Sequence, residues 1–264
     1  MSLTGRRVVV TAERRREELA GLLERRGAIV SVTPTIHTTS LADDGELRAA
    51  TERCVAGELD DLVVMTGIGF RGWLDAAAGW DLRERLIAAL GSVRILARGP
   101  KAKGAIRGAG LHETYAASSE ASEELLTHLL AEPLDDRRIG VQLHGDRMPT
   151  FTARLAEAGA SIVEVPVYQW HPPTDLAAVD GLVDRIVAGE VDVVTFTSAP
   201  AAAYLLEAAG ERRDDLVKAF HERVVAACVG PITAAPLTAL GVPTVQPERG
   251  RLGALVRTLE EHFA

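Results

Sequence analysis

The chain has 264 residues, 47% of them apolar and 25% charged, with a formal net charge of −8. That length buries one large core or two smaller ones, and the acidic balance argues against a basic face that grips nucleic acid. No stretch of 18 apolar residues is present, and MSLTGRRVVVTAERR lacks the apolar run of a secretory signal, so no membrane partner is expected and a cytoplasmic location is. Cys54 and Cys228 sit in unrelated contexts without metal-ligand spacing and read as buried free thiols.

In chain order, short runs rich in valine and isoleucine predict strands at 7–11, 29–33, 61–65 and 93–96. A second set follows at 138–143, 161–166, 192–196 and 223–228. Helical patterns lie between them; in ERRREELAGLLERRGA, Leu19, Leu22 and Leu23 share one face and Gly27 closes the end. Arg14 to Arg16 and the pair Arg25 and Arg26 stand beside glutamates at helical spacing and read as a solvated face. Asp60-Asp61 and Asp214-Asp215 read as solvated turn residues, and Trp73 and Trp80 as packing residues.

The chain is written twice. A shift of 131 or 132 residues lays GAIVSVTP (27–34) on GASIVEVP (159–166), DLVVMT on DVVTFT, and ARGPKAKGAIRGAGL on ACVGPITAAPLTALGV. Each copy alternates strand and helix, which implies parallel sheets covered on both faces. The expected fold is therefore α/β: two similar parallel-sheet, flavodoxin-like lobes from an internal duplication. Pro34 and Pro166 open equivalent polar segments, TIHTTSLADDGE and VYQWHPPTDL. Read as linkers at 34–40 and 166–172, they make a two-stranded hinge beside a cleft. One lobe then comprises residues 1–35 and 172–264, and the other 40–165.

VVMTGIGFRGW carries Gly67-x-Gly69-x-x-Gly72 after an apolar run, the spacing of a dinucleotide-binding turn. The following strand ends without the acidic residue that takes the ribose. The equivalent turn of the second copy, SAPAAAYLL, makes the same transition without the glycines, so no nicotinamide or flavin is expected. Both copies instead share a strand ending in threonine and a strand ending in Gly-Pro, each leading into a helix. Such helix starts present free N–H groups toward the carboxyl edge of the sheet. Thr197, Ser198 and Thr233 add hydroxyls, which serve either as caps or as ligand contacts. The chemistry this suits is a multiply anionic small molecule.

VVVTAERRREELAGLLERRGAIVSVTP, VEVPVYQW, DVVTFTSAPAAAYLL and VAACVGPITAAPLTALGV, in this order and spacing, resemble the uroporphyrinogen-III synthase family over essentially the whole chain. The resemblance implies a hinged two-lobed fold that cyclises hydroxymethylbilane to uroporphyrinogen III with inversion of the last pyrrole ring. It implies a polycarboxylate tetrapyrrole as partner, met by backbone N–H groups and hydroxyls, with no metal or organic cofactor, in a chain expected to be monomeric. Tyr168 matches the family position proposed to assist loss of the terminal hydroxyl. By itself it reads equally as an amphipathic hinge residue. The residues and the resemblance together give the expected substrate contacts as Thr11, Thr66, Gly67, Arg98, Gly99, Lys101, His144, Gly145, Thr197, Ser198, Gly230 and Thr233.

The first copy departs from the family. MTGIGFRGW stands where Thr-Ser and an Asn-Gly-like turn are usual, and Arg98, Lys101 and Lys103 make the next turn more basic. With VQLHGDR these features resemble an actinobacterial-type branch whose members often continue into a C-terminal winged-helix DNA-binding domain. That branch supplies the alternative function, a tetrapyrrole- or anion-sensing domain with reduced catalysis. His37 and His171 lie on the two linkers and read as loop histidines, and Trp170 beside the hinge reads as a packing residue, with covering of bound pyrroles as the alternative.

Overall fold

Strands form where valine and isoleucine cluster, and four more form outside those runs. A computed structural model describes residues 3–42 and 45–264, so Asp43 and Asp44 of the first polar segment lie outside the described residues. The strands are β1 Arg7–Val10, β2 Ile29–Val32, β3 His37–Ser40, β4 Asp61–Val64, β5 Arg94–Ala97, β6 Tyr115–Ala116, β7 Arg138–Gln142, β8 Ser161–Val165, β9 Tyr168–His171, β10 Val193–Phe196, β11 Val225–Cys228 and β12 Thr244–Val245. The helices are α1 Arg16–Glu24, α2 Gly45–Val55, α3 Gly67–Gly79, α4 Arg83–Leu90, α5 Pro100–Gly108, α6 Ser122–Leu130, α7 Pro149–Glu157, α8 Leu176–Val187, α9 Ala199–Ala208, α10 Arg213–Glu222, α11 Pro231–Thr238 and α12 Leu252–His262.

The chain divides into two compact units, Met1–His37 with His171–Ala264, and Thr38–Trp170. In the first unit a five-stranded parallel sheet runs β12-β11-β10-β1-β2. In the second the order is β6-β5-β4-β7-β8, again parallel. The repeat offset maps β4, β5 and β6 onto β10, β11 and β12, and β1 and β2 onto β7 and β8. The first unit has the flavodoxin-type strand order. The second has the same spatial order entered at its third strand.

The segments read as a two-stranded hinge are strands: β3 and β9 form a two-stranded sheet where the chain passes between units. The residues are HTTS and YQWH. β-Branched and aromatic side chains on an extended backbone favour such pairing.

Period-two alternation builds the cores. In β4, Leu62 and Val64 face one apolar layer with Phe70, Trp73 and Leu86. Val63 and Met65 face the other layer, with Leu125, Leu129 and Leu155. In the first unit Val8 and Val10 pack on Leu19, Leu23, Leu255 and Leu259. These four leucines are fully buried, a contribution of about 1.5–3 kcal/mol apiece relative to exposure. Trp73 is buried with its Nε1–H donating to Thr51 Oγ1 at 2.8 Å. Cys54 and Cys228 are buried free thiols, and burial pushes both up to about 12.

Asp60 and Asp61 are not solvated turn residues. Asp61 is fully buried; its carboxylate accepts from Arg94 and from Arg137 Nη2 at 2.6 Å. Asp60 accepts from the Arg138 backbone N–H and Nη2, both at 2.9 Å. The cause is register. Asp61 lies level with Arg94 and Ile139 on the flanking strands, so basic residues close over the amino edge of the sheet. The repeat preserves this device in the first unit, where Asp192 accepts from the Arg7 backbone at 2.7 Å. Asp214 and Asp215 are exposed, in the first turn of α10.

Candidate functional site

Each sheet has a point where the chain order reverses, between β1 and β10 in the first unit and between β4 and β7 in the second. Ligands of open α/β sheets bind at the carboxyl ends of the strands beside such a point. In the second unit Val64 is level with both Ala97 and Gln142. The residues just beyond them, Thr66, Arg98, Gly99, His144 and Gly145, therefore gather at one sheet edge.

Thr66 has an extended backbone before α3, and its Oγ1 accepts from the Gly69 N–H at 3.0 Å. Its own N–H donates to Gln142 Oε1 at 3.1 Å. Gln142 is fully buried and turns its amide back to the Leu143 carbonyl. A glutamine at a strand end carries no sequence signal of its own, and Gln142 went unforeseen. The glycines that imitate a dinucleotide turn have packing jobs instead. A Cβ at Gly67 would overlap the Lys101 carbonyl on α5, and one at Gly69 would overlap the Gln142 amide.

Arg98 follows β5 and is half-buried. Among the described residues its guanidinium has no hydrogen-bond or ion-pair partner; burial lowers its pKa, and the nearby Tyr168 and Glu120 act the other way. Gly99 is extended ahead of Pro100, which opens α5. Lys101 is exposed in that first turn, while Lys103 is tied to Glu113 at 3.0 Å.

His144 is half-buried, and its Nδ1 is buried without a hydrogen-bond partner. Burial first, and the Arg98 cation second, push its pKa down to about 4, so the ring is neutral at pH 7. Its ring stands 5.5 Å from that of Trp170, whose ring is 6.1 Å from that of Tyr168. The loop carrying His144 and Gly145 runs beside β9 through a bridge from Gly145 to Gln169. Tyr168 is half-buried, with its Oη 3.4 Å from Thr66 Oγ1.

In the first unit Thr11 lies just past β1, fully buried, its hydroxyl donating to the Thr195 carbonyl at 2.8 Å. It braces β1 against β10 across the reversal point. Thr197 and Ser198 are half-buried at the start of α9, and Ser198 makes no side-chain cap. Gly230 is extended ahead of Pro231, and Thr233 is buried in the first turn of α11. His37 is half-buried on a strand rather than loose in a loop, and its Nδ1 is 2.7 Å from Glu13 Oε1. His171 is likewise half-buried, at the end of β9. No cluster of three metal-ligating residues occurs among the described residues, and no helix there is long and apolar enough to cross a membrane.

The profile described as uroporphyrinogen-III synthase HemD matches residues 17–257. The chain belongs to the uroporphyrinogen-III synthase family. A mutant uroporphyrinogen III synthase from Thermus thermophilus superposes with a TM-score of 0.84 at 27% identity, covering 98% of this chain and 99% of that one. The uncharacterized protein YjjA of Bacillus subtilis (strain 168) is 30% identical over 267 positions, 99% of this chain and 97% of its own length. A putative uroporphyrinogen-III synthase of Methanothermobacter thermautotrophicus is 33% identical over 138 residues, 49% of this chain and 54% of its own. The first two relatives are covered almost end to end.

Proposed function

We propose that this chain is a uroporphyrinogen-III synthase, a cytoplasmic, monomeric hydro-lyase that cyclises hydroxymethylbilane, with Tyr168 as the acid that starts the reaction. The observation that carries the reading is the position of the Tyr168 hydroxyl. It stands at the carboxyl edge of the second unit's sheet, beside Thr66. Around it the helix starts after Thr66 and Gly99 offer backbone N–H groups to carboxylates. The starts after Ser198 and Gly230 offer the same chemistry in the first unit. Lys101 and Gly145 complete the proposed contacts of the second unit, and Thr197 and Thr233 those of the first.

The steps balance without a redox partner. Tyr168 gives a proton to the terminal hydroxyl, the carbon–oxygen bond breaks and water leaves. The substituted α-carbon of the last ring attacks the resulting cation to form a spiro centre. The bond from that ring to its bridging carbon then breaks and re-forms at the other α-carbon. The proton lost there returns to the tyrosinate. The protein's part is to hold the chain folded for closure and to stabilise the passing charge.

The test is a coupled assay in which porphobilinogen deaminase supplies hydroxymethylbilane and the oxidised porphyrin isomers are separated. Isomer III is expected, falling back toward isomer I in Tyr168→Phe. Isomer I alone, the product of uncatalysed closure, would overturn the synthase reading and favour a tetrapyrrole-sensing domain.

A further inference from the structure

Two neighbouring side chains at the carboxyl edge of the second sheet hold polar groups that the described residues leave unsatisfied. Arg98 is half-buried with no ion-pair or hydrogen-bond partner among the described residues. Glu120, the acid that acts on it electrostatically, is exposed. His144 keeps Nδ1 buried with nothing to bond. Strand order brings them to one edge of the sheet. Arg98 follows Ala97 and His144 lies two residues past Gln142, and Ala97 and Gln142 are both level with Val64. That sets the two groups one strand either side of β4, on the order of 10 Å apart in backbone, a gap that an arginine side chain spans. Their electrostatic coupling agrees, since the Arg98 cation is one of the two causes that keep His144 neutral.

A half-buried cation and a buried unsatisfied imidazole nitrogen each cost folding free energy. One carboxylate satisfies both. It neutralises the guanidinium, with scope for a bidentate pair, and accepts a hydrogen bond from the imidazole. Cations along the outer face of α5 differ, because Lys103 and Arg107 are already committed to Glu113.

We propose that Arg98 and His144 together form a subsite for a single carboxylate of the ligand, with the Trp170 ring beside it covering the attached pyrrole. The identity of the molecule carrying that carboxylate rests on the tetrapyrrole reading above. The pairing of the two side chains on one anion does not. Arg98 supplies the charge and His144 the direction, so the two act as a unit rather than as independent contacts.

Uroporphyrin III, a stable octacarboxylate, is the probe, titrated by quenching of tryptophan emission. The proteins are wild type, Arg98→Gln, His144→Phe and the double variant, each checked for native circular dichroism. If both hold one carboxylate, Arg98→Gln weakens binding about tenfold and His144→Phe about fivefold. The double variant then falls well short of the roughly fiftyfold product, the mark of coupled residues. His144→Asn, whose amide keeps a hydrogen-bonding atom near the Nδ1 position, restores most of the loss; a ring needed only for packing would not be restored. In turnover with hydroxymethylbilane, KM rises in step with these losses while kcat holds. Single variants that bind as wild type, losses that multiply, or wild type that does not bind uroporphyrin would each overturn the subsite. Coupled losses in a protein that makes no isomer III would keep the subsite and remove the synthase. Isomer III made by a protein whose variants all bind alike would do the reverse.

Discussion

The indole of Trp170 lies against the backbone of Gly145, where any Cβ would overlap the ring. The φ of Gly145 is +89°, in the left-handed region that favours glycine. Both requirements fall on one residue, so the loop after β7 and the strand β9 are fitted to each other at this point.

Gly145→Ala therefore combines backbone strain with a steric clash, and a loss of about 1–3 kcal/mol follows. Thermal unfolding reads the loss, and a red shift of tryptophan emission reads displacement of Trp170. An unchanged melting temperature and spectrum would show that the loop re-forms freely around the new methyl.

Thr66→Val removes the oxygen that caps α3 and neighbours the Tyr168 hydroxyl. Loss of the cap costs about 1 kcal/mol. Tyr168→Phe touches no such cap and leaves the melting temperature near wild type. In the coupled assay both variants lose isomer III. If Thr66→Val lost stability but kept full activity, the 3.4 Å contact would carry no part of the chemistry.

Asp61→Ala strips the acid from between Arg94 and Arg137 and leaves the two guanidiniums facing each other. Breaking a buried pair in this way costs about 3–5 kcal/mol, far more than an exposed turn aspartate would. Urea unfolding of the variant against wild type measures it; a change below about 1 kcal/mol, the range of an exposed pair, would return Asp61 to the role of a solvated residue.

Two pH effects have separate readouts. Glu113, gripped by Arg107, and Asp60, gripped by Arg138, are each held down at about 2. Their folded values lie below the ordinary carboxylate range of about 4. Their stabilisation is therefore complete above pH ~4 and is lost as pH falls from there toward ~2. Glu113→Gln and Asp60→Asn flatten the stability profile in that window. His144 is also depressed, to about 4. Its Cε1 proton signal then titrates near pH 4 in NMR instead of near the ordinary ~6.5. Removing the neighbouring cation in Arg98→Gln raises that midpoint; a midpoint that does not move would separate the two side chains.

The amino-acid sequence by itself determined the repeat, the alternation of strand and helix, the parallel sheets and the family. These depend on local patterns of valine, isoleucine, glycine and proline, which survive reading one residue at a time. The strand edges shifted by a residue or two; Thr11, for example, falls just outside β1. The paired strands β3 and β9 were legible only as polar segments, because their pairing joins residues more than a hundred positions apart. Tertiary structure alone decided what became of individual polar groups. Asp60-Asp61 reads as a turn until strand register sets arginines on both sides. Gln142 carries no motif until its amide is seen to fix Thr66. The glycines of GIGFRG suggest a nucleotide turn until Lys101 and Gln142 are found against them. Thr11 and Thr66 look alike in sequence, yet one hydroxyl is spent on a buried strand carbonyl and the other caps a helix beside Tyr168. Arg98 and His144 were two separate candidates, and only the order of β5, β4 and β7 brought them to one edge. Register and burial are properties of distant segments packed together, and no window of sequence contains them.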